Sequence, residues 1–97
     1  MSDRAFLRDK ERCHVSDAKT LEWFLFRCLE KLRRNSKKAH WREAKQDYLL
    51  QRIREETNEL MIALMEEPEN VIAECADVAN FAMMIADNHR EKMKEEV

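Results

Sequence analysis

Not one of the 97 residues is glycine, and Pro68 is the single proline. Nucleotide cradles built from glycine-rich loops are therefore excluded: the chain has neither a Walker A loop nor a dinucleotide fingerprint. An all-β fold is disfavoured for a related reason. Tight hairpins need residues at positive φ, which glycine and asparagine supply at least cost. Charged residues make up 39% of the chain and apolar residues 44%. In a glycine-free chain that balance predicts long amphipathic helices, so the expected class is all-α. The length fits one small domain, and a domain of this size buries only roughly 60% of the surface of its unfolded chain. Three or four helices leave a thin core, so an antiparallel bundle that completes its cores by dimerisation or higher assembly is expected.

Net charge is −2, but its distribution is uneven. Residues 1–54 carry 15 Lys/Arg against 8 Asp/Glu, and residues 55–97 carry 3 against 12. From Glu55 to His89 there are nine acids and no Lys or Arg. Two halves of a hairpin attracting each other would account for this, and so would a cation site facing a phosphate-binding surface. Cys13, Cys28 and Cys75 are an odd number without CxxC spacing, which suggests a reducing compartment and a cytoplasmic protein. The start, Met1-Ser2-Asp3-Arg4, runs into charge, so no signal peptide is expected.

Residues 1–15 lack a clear period and read as a charged tail or a loosely docked segment. A single domain over 16–92 and a solvated tail over 93–97 complete the expected organisation. Ser16 or Asp17 can cap a first helix whose stripe is Leu21, Phe24, Leu25, Cys28, Leu29 and Leu32, ending near Asn35-Ser36. Trp23 and Phe26 fall off that stripe and suit a contact with a partner subunit. A second helix is predicted from Trp41 to Glu66, with Leu49, Ile53, Leu60 and Leu64 as its stripe. Pro68 marks the turn, and a third helix is predicted over 70–92.

That third helix carries the sharpest signal. Of the 16 residues from Val71 to Ala86, 13 are apolar, and the exceptions are Glu74, Asp77 and Asn80, spaced three apart. Spacing of three keeps them on one gently drifting face. A helix apolar on nearly all sides is expected to be buried, yet it is too short and too acidic to span a bilayer. Buried carboxylates must be paired, protonated or metal-bound. The second helix offers a matching set in Glu55, Glu56 and Glu59. At about 100° per residue, Glu56 sits at the edge of the Ile53–Leu60 stripe, and Glu59 lies further round. Fourteen residues separate Glu59 from Glu74, enough to finish one helix, turn and climb back to the same level. An antiparallel pair would then bring Glu56 and Glu59 to face Glu74 and Asp77. Four gathered carboxylates need a counter-ion. Hard oxygen ligands without clustered His or Cys favour Mg²⁺, or Mn²⁺ in its place, over Zn²⁺. Mg²⁺ is usually bound together with substrate phosphates, so a polyphosphate ligand is expected.

The basic half can supply cations for that ligand, with Lys38, Lys45 and Arg52 the substrate-binding candidates and Lys31, Arg34 and Lys37 beside them. Trp41, fifteen residues before Glu56, can stack on a nucleobase or serve as a packing residue. His40 is a weaker candidate, and His14 and His89 suggest no role. Phe81, Met83 and Met84 read as core or subunit contact.

Glu55-Glu56-Thr57-Asn58-Glu59-Leu60 followed by Glu74-Cys75-Ala76-Asp77-Val78-Ala79-Asn80 resembles the signature of the MazG-like all-α nucleoside triphosphate pyrophosphohydrolases, over roughly Trp41 to Asn88. The resemblance implies an EExxE segment joined to an ExxD segment on antiparallel helices. It implies Mg²⁺ held by Glu56, Glu59, Glu74 and Asp77. It also implies cleavage of a nucleoside triphosphate between the α and β phosphates, giving a monophosphate and pyrophosphate, in a role such as the cleansing of nucleotide pools. Catalytic roles fall on Glu55 and Glu56, with Glu55 matching an acid that orients or deprotonates the attacking water. Asn80 matches a polar position that contacts the substrate or supports a residue that does, and dimers or tetramers are implied. Phosphoribosyl-ATP pyrophosphohydrolase, of similar length and motif, is the related alternative; the absence of glycine counts against it. A second class of reading is a non-catalytic helical module whose acids form an ion-pair seam. Four bases in the six residues Arg33–Lys38 raise nucleic acid as a partner, which the acidic second half opposes. No membrane partner is expected.

Overall fold

The computed structural model describes residues 15–34 and 40–96. The segment 1–14, the thiol of Cys13, His14, Lys37 and Lys38 lie outside the described residues. Three main helices form an all-α subunit: α1 (Val15–Arg34), α2 (Gln46–Glu66) and α3 (Val71–Glu95), with 3₁₀ turns at Trp41–Glu43 and Pro68–Asn70. There is no strand among the described residues.

Helix α1 already includes Ser16 and Asp17, so neither acts as the expected cap. Thr20 Oγ1 donates to the Ser16 carbonyl at 2.9 Å, and Asp17 sits in the first turn, where its charge complements the helix dipole. The predicted second helix is interrupted. Trp41–Glu43 form a separate turn capped by His40, whose Nδ1 accepts from Arg42 N, and Ala44 and Lys45 are extended before α2 starts at Gln46. Helix α2 stops at Glu67, whose N–H donates to the Ala63 carbonyl at 2.9 Å. Pro68 opens the 3₁₀ turn that leads into α3, a position where its missing N–H costs nothing. Helix α3 runs to Glu95, three residues past the predicted end. Lys92 and Lys94 suit its last turn, and Lys94 pairs with Glu91 at 3.3 Å.

Helices α2 and α3 fold back on each other across Pro68, and α1 packs on α3. The buried residues of α2 are Leu49, Glu56 and Ala63, seven apart, which is the spacing of a seam between two packed helices. Helix α3 buries Ala76, Asn80 and Asp87. The apolar core is thin, as expected: among the described residues, Leu49, Ala63 and Ala76 are its fully buried members. The expectation that α3 would be buried all round is corrected, since most of its apolar face is half-buried and Ile72 is 47% exposed. The predicted α2 stripe is corrected at Leu64, which is exposed, and the α1 stripe at Leu21 and Leu25, also exposed with Trp23 and Phe26. Three helices cannot wrap both sides of α3, so these apolar faces stay on the surface of the single chain. Among the described residues no helix is long and apolar enough to cross a membrane.

Candidate metal centre and nucleotide groove

The short turn at Pro68 sets α2 and α3 side by side in a fixed register, and that register brings three carboxylates together. Glu56 and Glu59, on consecutive turns of α2, meet Glu74 from the first turn of α3. One oxygen from each lies within 4.8 Å of the others. Asp77 follows one turn along α3, close enough for its charge to act on both Glu56 and Glu74. Its Oδ2 is paired with Lys31 Nζ of α1 at 3.2 Å.

Glu56 is the most deeply placed of these acids, only 5% exposed. Its Oε1 accepts from Arg52 Nη2 at 2.8 Å, one turn back on α2. The other amino group of Arg52 pairs with Glu55, and the guanidinium lies over the Phe81 ring at 5.1 Å. Burial, together with the neighbouring Glu59 and the charge of Asp77, pushes the Glu56 carboxyl up to about 7 in spite of Arg52. Glu74 is raised as well, first by burial and then by Glu59 and Asp77. Glu56 Oε2 and Glu74 Oε2 are buried without a hydrogen-bond partner. Two orphaned carboxylate oxygens facing a third acid form a site short of positive charge. The donor set is all oxygen, which suits a hard divalent cation.

A groove of ≈ 1210 Å³ opens beside this cluster, and Glu56 and Asp77 form its acidic wall. Lys31, Lys45 and Arg52 supply positive charge along it, and Trp41 and Tyr48 supply aromatic surface. The sequence-predicted residues thus divide. Glu56, Glu59 and Glu74 share one point, with Asp77 adjacent but held by Lys31. Glu55 stands on the exposed side of α2, tied to Arg52 and away from the groove lining. Asn80 lines the groove, but its Nδ2 donates to the Cys28 carbonyl at 3.0 Å, fastening α1 to α3. Lys38 lies outside the described residues.

Sequence reasoning missed Asp87. This buried carboxylate accepts from Trp41 Nε1 at 3.0 Å, from Arg42 Nε at 3.4 Å and from Arg90 Nη2 at 2.6 Å. Those donors, the Trp41 indole first, hold its carboxyl down at about 2. Asn88 Nδ2 adds a bond to the Trp41 carbonyl at 3.1 Å. The signal was available: Asp87 stands seven residues after Asn80, on the same face of α3, just past the apolar run.

No curated protein and no solved structure matches the chain. The sequence model of the family described as phosphoribosyl-ATP pyrophosphohydrolase matches residues 25–95, which includes all three helices from the middle of α1 onward and every acid of the cluster. The argument from missing glycine against that family is overturned by this match. Its physical reason is visible in the fold: no described residue has positive φ, so the helix pair that gathers the acids requires no glycine. The chain belongs to the phosphoribosyl-ATP pyrophosphohydrolase family, a MazG-like family of pyrophosphohydrolases.

Proposed function

We propose that the protein is a Mg²⁺-dependent pyrophosphohydrolase that opens the bond between the α and β phosphates of a nucleoside triphosphate, releasing pyrophosphate. The family match favours phosphoribosyl-ATP as the first substrate to test, ahead of a plain (d)NTP. The observation that carries the reading is the pair of orphaned oxygens on Glu56 and Glu74 beside Glu59. An ion-pair seam would leave no acid of the cluster without a cation. Here Arg52 serves Glu56 through one oxygen only, and Lys31 serves Asp77.

Glu56, Glu59 and Glu74 would hold the ion, and Asp77 would join them if Lys31 gave way. When bound, Mg²⁺ neutralises phosphate charge and stabilises the pyrophosphate leaving group. Lys45, Arg52 and Lys31 line the groove and attract a polyphosphate tail toward the acids. Trp41 offers a flat wall for the base. To orient a water and accept its proton, Glu55 would have to leave Arg52 and turn from the exposed side of α2 toward the ion. The reaction balances with water alone: its oxygen joins one phosphate and the bridging oxygen leaves with the other.

The test is a nucleotide panel containing phosphoribosyl-ATP, ATP and the dNTPs, with phosphate and pyrophosphate read separately and Mg²⁺ or Mn²⁺ varied. Pyrophosphate release that needs the metal and disappears in E74A supports the reading. No turnover across the panel by a folded protein overturns it and favours a non-catalytic helical module.

A further inference from the structure

The turn that carries His40, Trp41 and Arg42 is fastened by two consecutive residues of α3. Asp87 Oδ2 accepts from the Trp41 indole at 3.0 Å and from Arg42 at 3.4 Å. Asn88 donates to the Trp41 carbonyl at 3.1 Å. Both the ring edge and the backbone of Trp41 are therefore fixed from the same side. One face of the indole is stacked against His40, with centroids 4.3 Å apart and planes 25° from parallel. Both residues line the groove. A buried carboxylate is a costly fastener for a turn, because an apolar side chain would fill the same space without desolvating a charge. What a carboxylate adds is direction: its acceptor oxygen fixes the plane of the indole as well as its position.

We propose that Asp87 is a positioning residue of the groove: by pinning the Trp41 indole edge-on, it sets the orientation of the wall against which the substrate's nucleobase stacks. The proposal rests on the reading of the groove as a nucleotide site. Asp87 acts through Trp41 and touches no substrate. The carboxylates of the proposed metal centre stand on other residues, so binding carries the effect and the chemical step does not.

The test uses the full chain with W23F, which leaves Trp41 as its only tryptophan. D87N keeps an acceptor oxygen and the side-chain shape; D87L keeps the branched outline, is bulkier by two methyl groups in place of oxygens, and removes the acceptor. For the best nucleotide of the panel, D87L should raise KM about tenfold, the scale of one base–aromatic stack, while kcat stays within about twofold. D87N should fall between D87L and the parent. The Trp41 indole N–H resonance should lose its protection from solvent exchange in D87L. W41F should reproduce the rise in KM, and D87L added to W41F should raise it no further. Unchanged KM in D87L, or effects of D87L and W41F that add in full, overturns the proposal. A parallel fall in kcat has the same consequence, since it would mark a general structural role. If D87L does not fold, the same cycle is read with D87N. If no nucleotide is turned over, the proposed function fails separately. The cycle is then read from calorimetric affinity for ATP with Mg²⁺, and absence of any affinity overturns the positioning role too.

Discussion

Replacing Glu56 by glutamine should stabilise the metal-free protein above neutral pH while abolishing turnover. The carboxyl of Glu56 is raised from 4.5 to about 7 in the fold, first by burial and then by Glu59 and Asp77. In the unfolded chain it returns to its ordinary value. Between those pH values the folded state holds a proton that the unfolded state has released. Stability therefore falls as pH rises from about 4.5 to about 7 and levels off above it. One pKa unit corresponds to about 1.4 kcal/mol, so the gap amounts to about 3 kcal/mol at pH 8. The raised value already includes the attraction of the Arg52 guanidinium, so no further offset is subtracted. The gain of about 3 kcal/mol corresponds to roughly 15 °C in Tm for a chain of this size. Urea titrations with EDTA at pH 5 and pH 8, at one protein concentration, measure it. The two proteins should be closely matched at pH 5 and diverge at pH 8. Mg²⁺ should then raise the wild type and leave E56Q unmoved. A variant less stable than wild type at pH 8, with equal m-values, would show that Glu56 is adequately paired and refute the argument.

Three further outcomes are expected. E74Q and D77N should each lower kcat/KM by about a hundredfold or more while circular dichroism stays unchanged, because they remove oxygen donors proposed for the ion; a loss confined to KM would argue against a metal role. L49A should cost about 2–5 kcal/mol in urea unfolding, since Leu49 is 2% exposed and is the largest fully buried side chain among the described residues. The Asp87 carboxyl, held at about 2, keeps its ion pairs as pH falls well below 4 and releases them only near its own pKa. The Trp41 indole N–H resonance in W23F should therefore keep its protection from solvent exchange down to about pH 4, and an early loss near pH 5 would contradict the Asp87 assignment.

The order of helices and the return of α3 along α2 were legible because hydrophobic period and Pro68 act locally. So was the meeting of Glu56, Glu59 and Glu74, which follows from counting turns on either side of one proline. The break at Ala44-Lys45 was not legible. It is held by His40 below and by Asp87 and Asn88 from α3, and such long-range ties leave no periodic trace. The partners of the acids were open for the same reason. Lys31 and Arg52 looked alike as bases in a charged half, and only packing assigns one to Asp77 and the other to Glu56. Asn80 shows the reverse case. Its place in the polar stripe was readable, but its amide is committed to the Cys28 carbonyl.

The Pro68 hairpin separates two stages of assembly. Glu56, Glu59 and Glu74 are neighbours through a tight local reversal, so loop closure costs them little and low contact order predicts that they meet early in folding. Lys31 is 46 positions from its acid in the numbering of the chain, and it docks only when the amino-terminal rod arrives. Of the two cations that meet these acids, Arg52 is already on α2 and Lys31 comes from α1, so the centre stays under-neutralised until α1 docks. A divalent ion supplied during refolding should act as a scaffold for the hairpin, shortening the interval in which crowded like charges push the nascent pair apart.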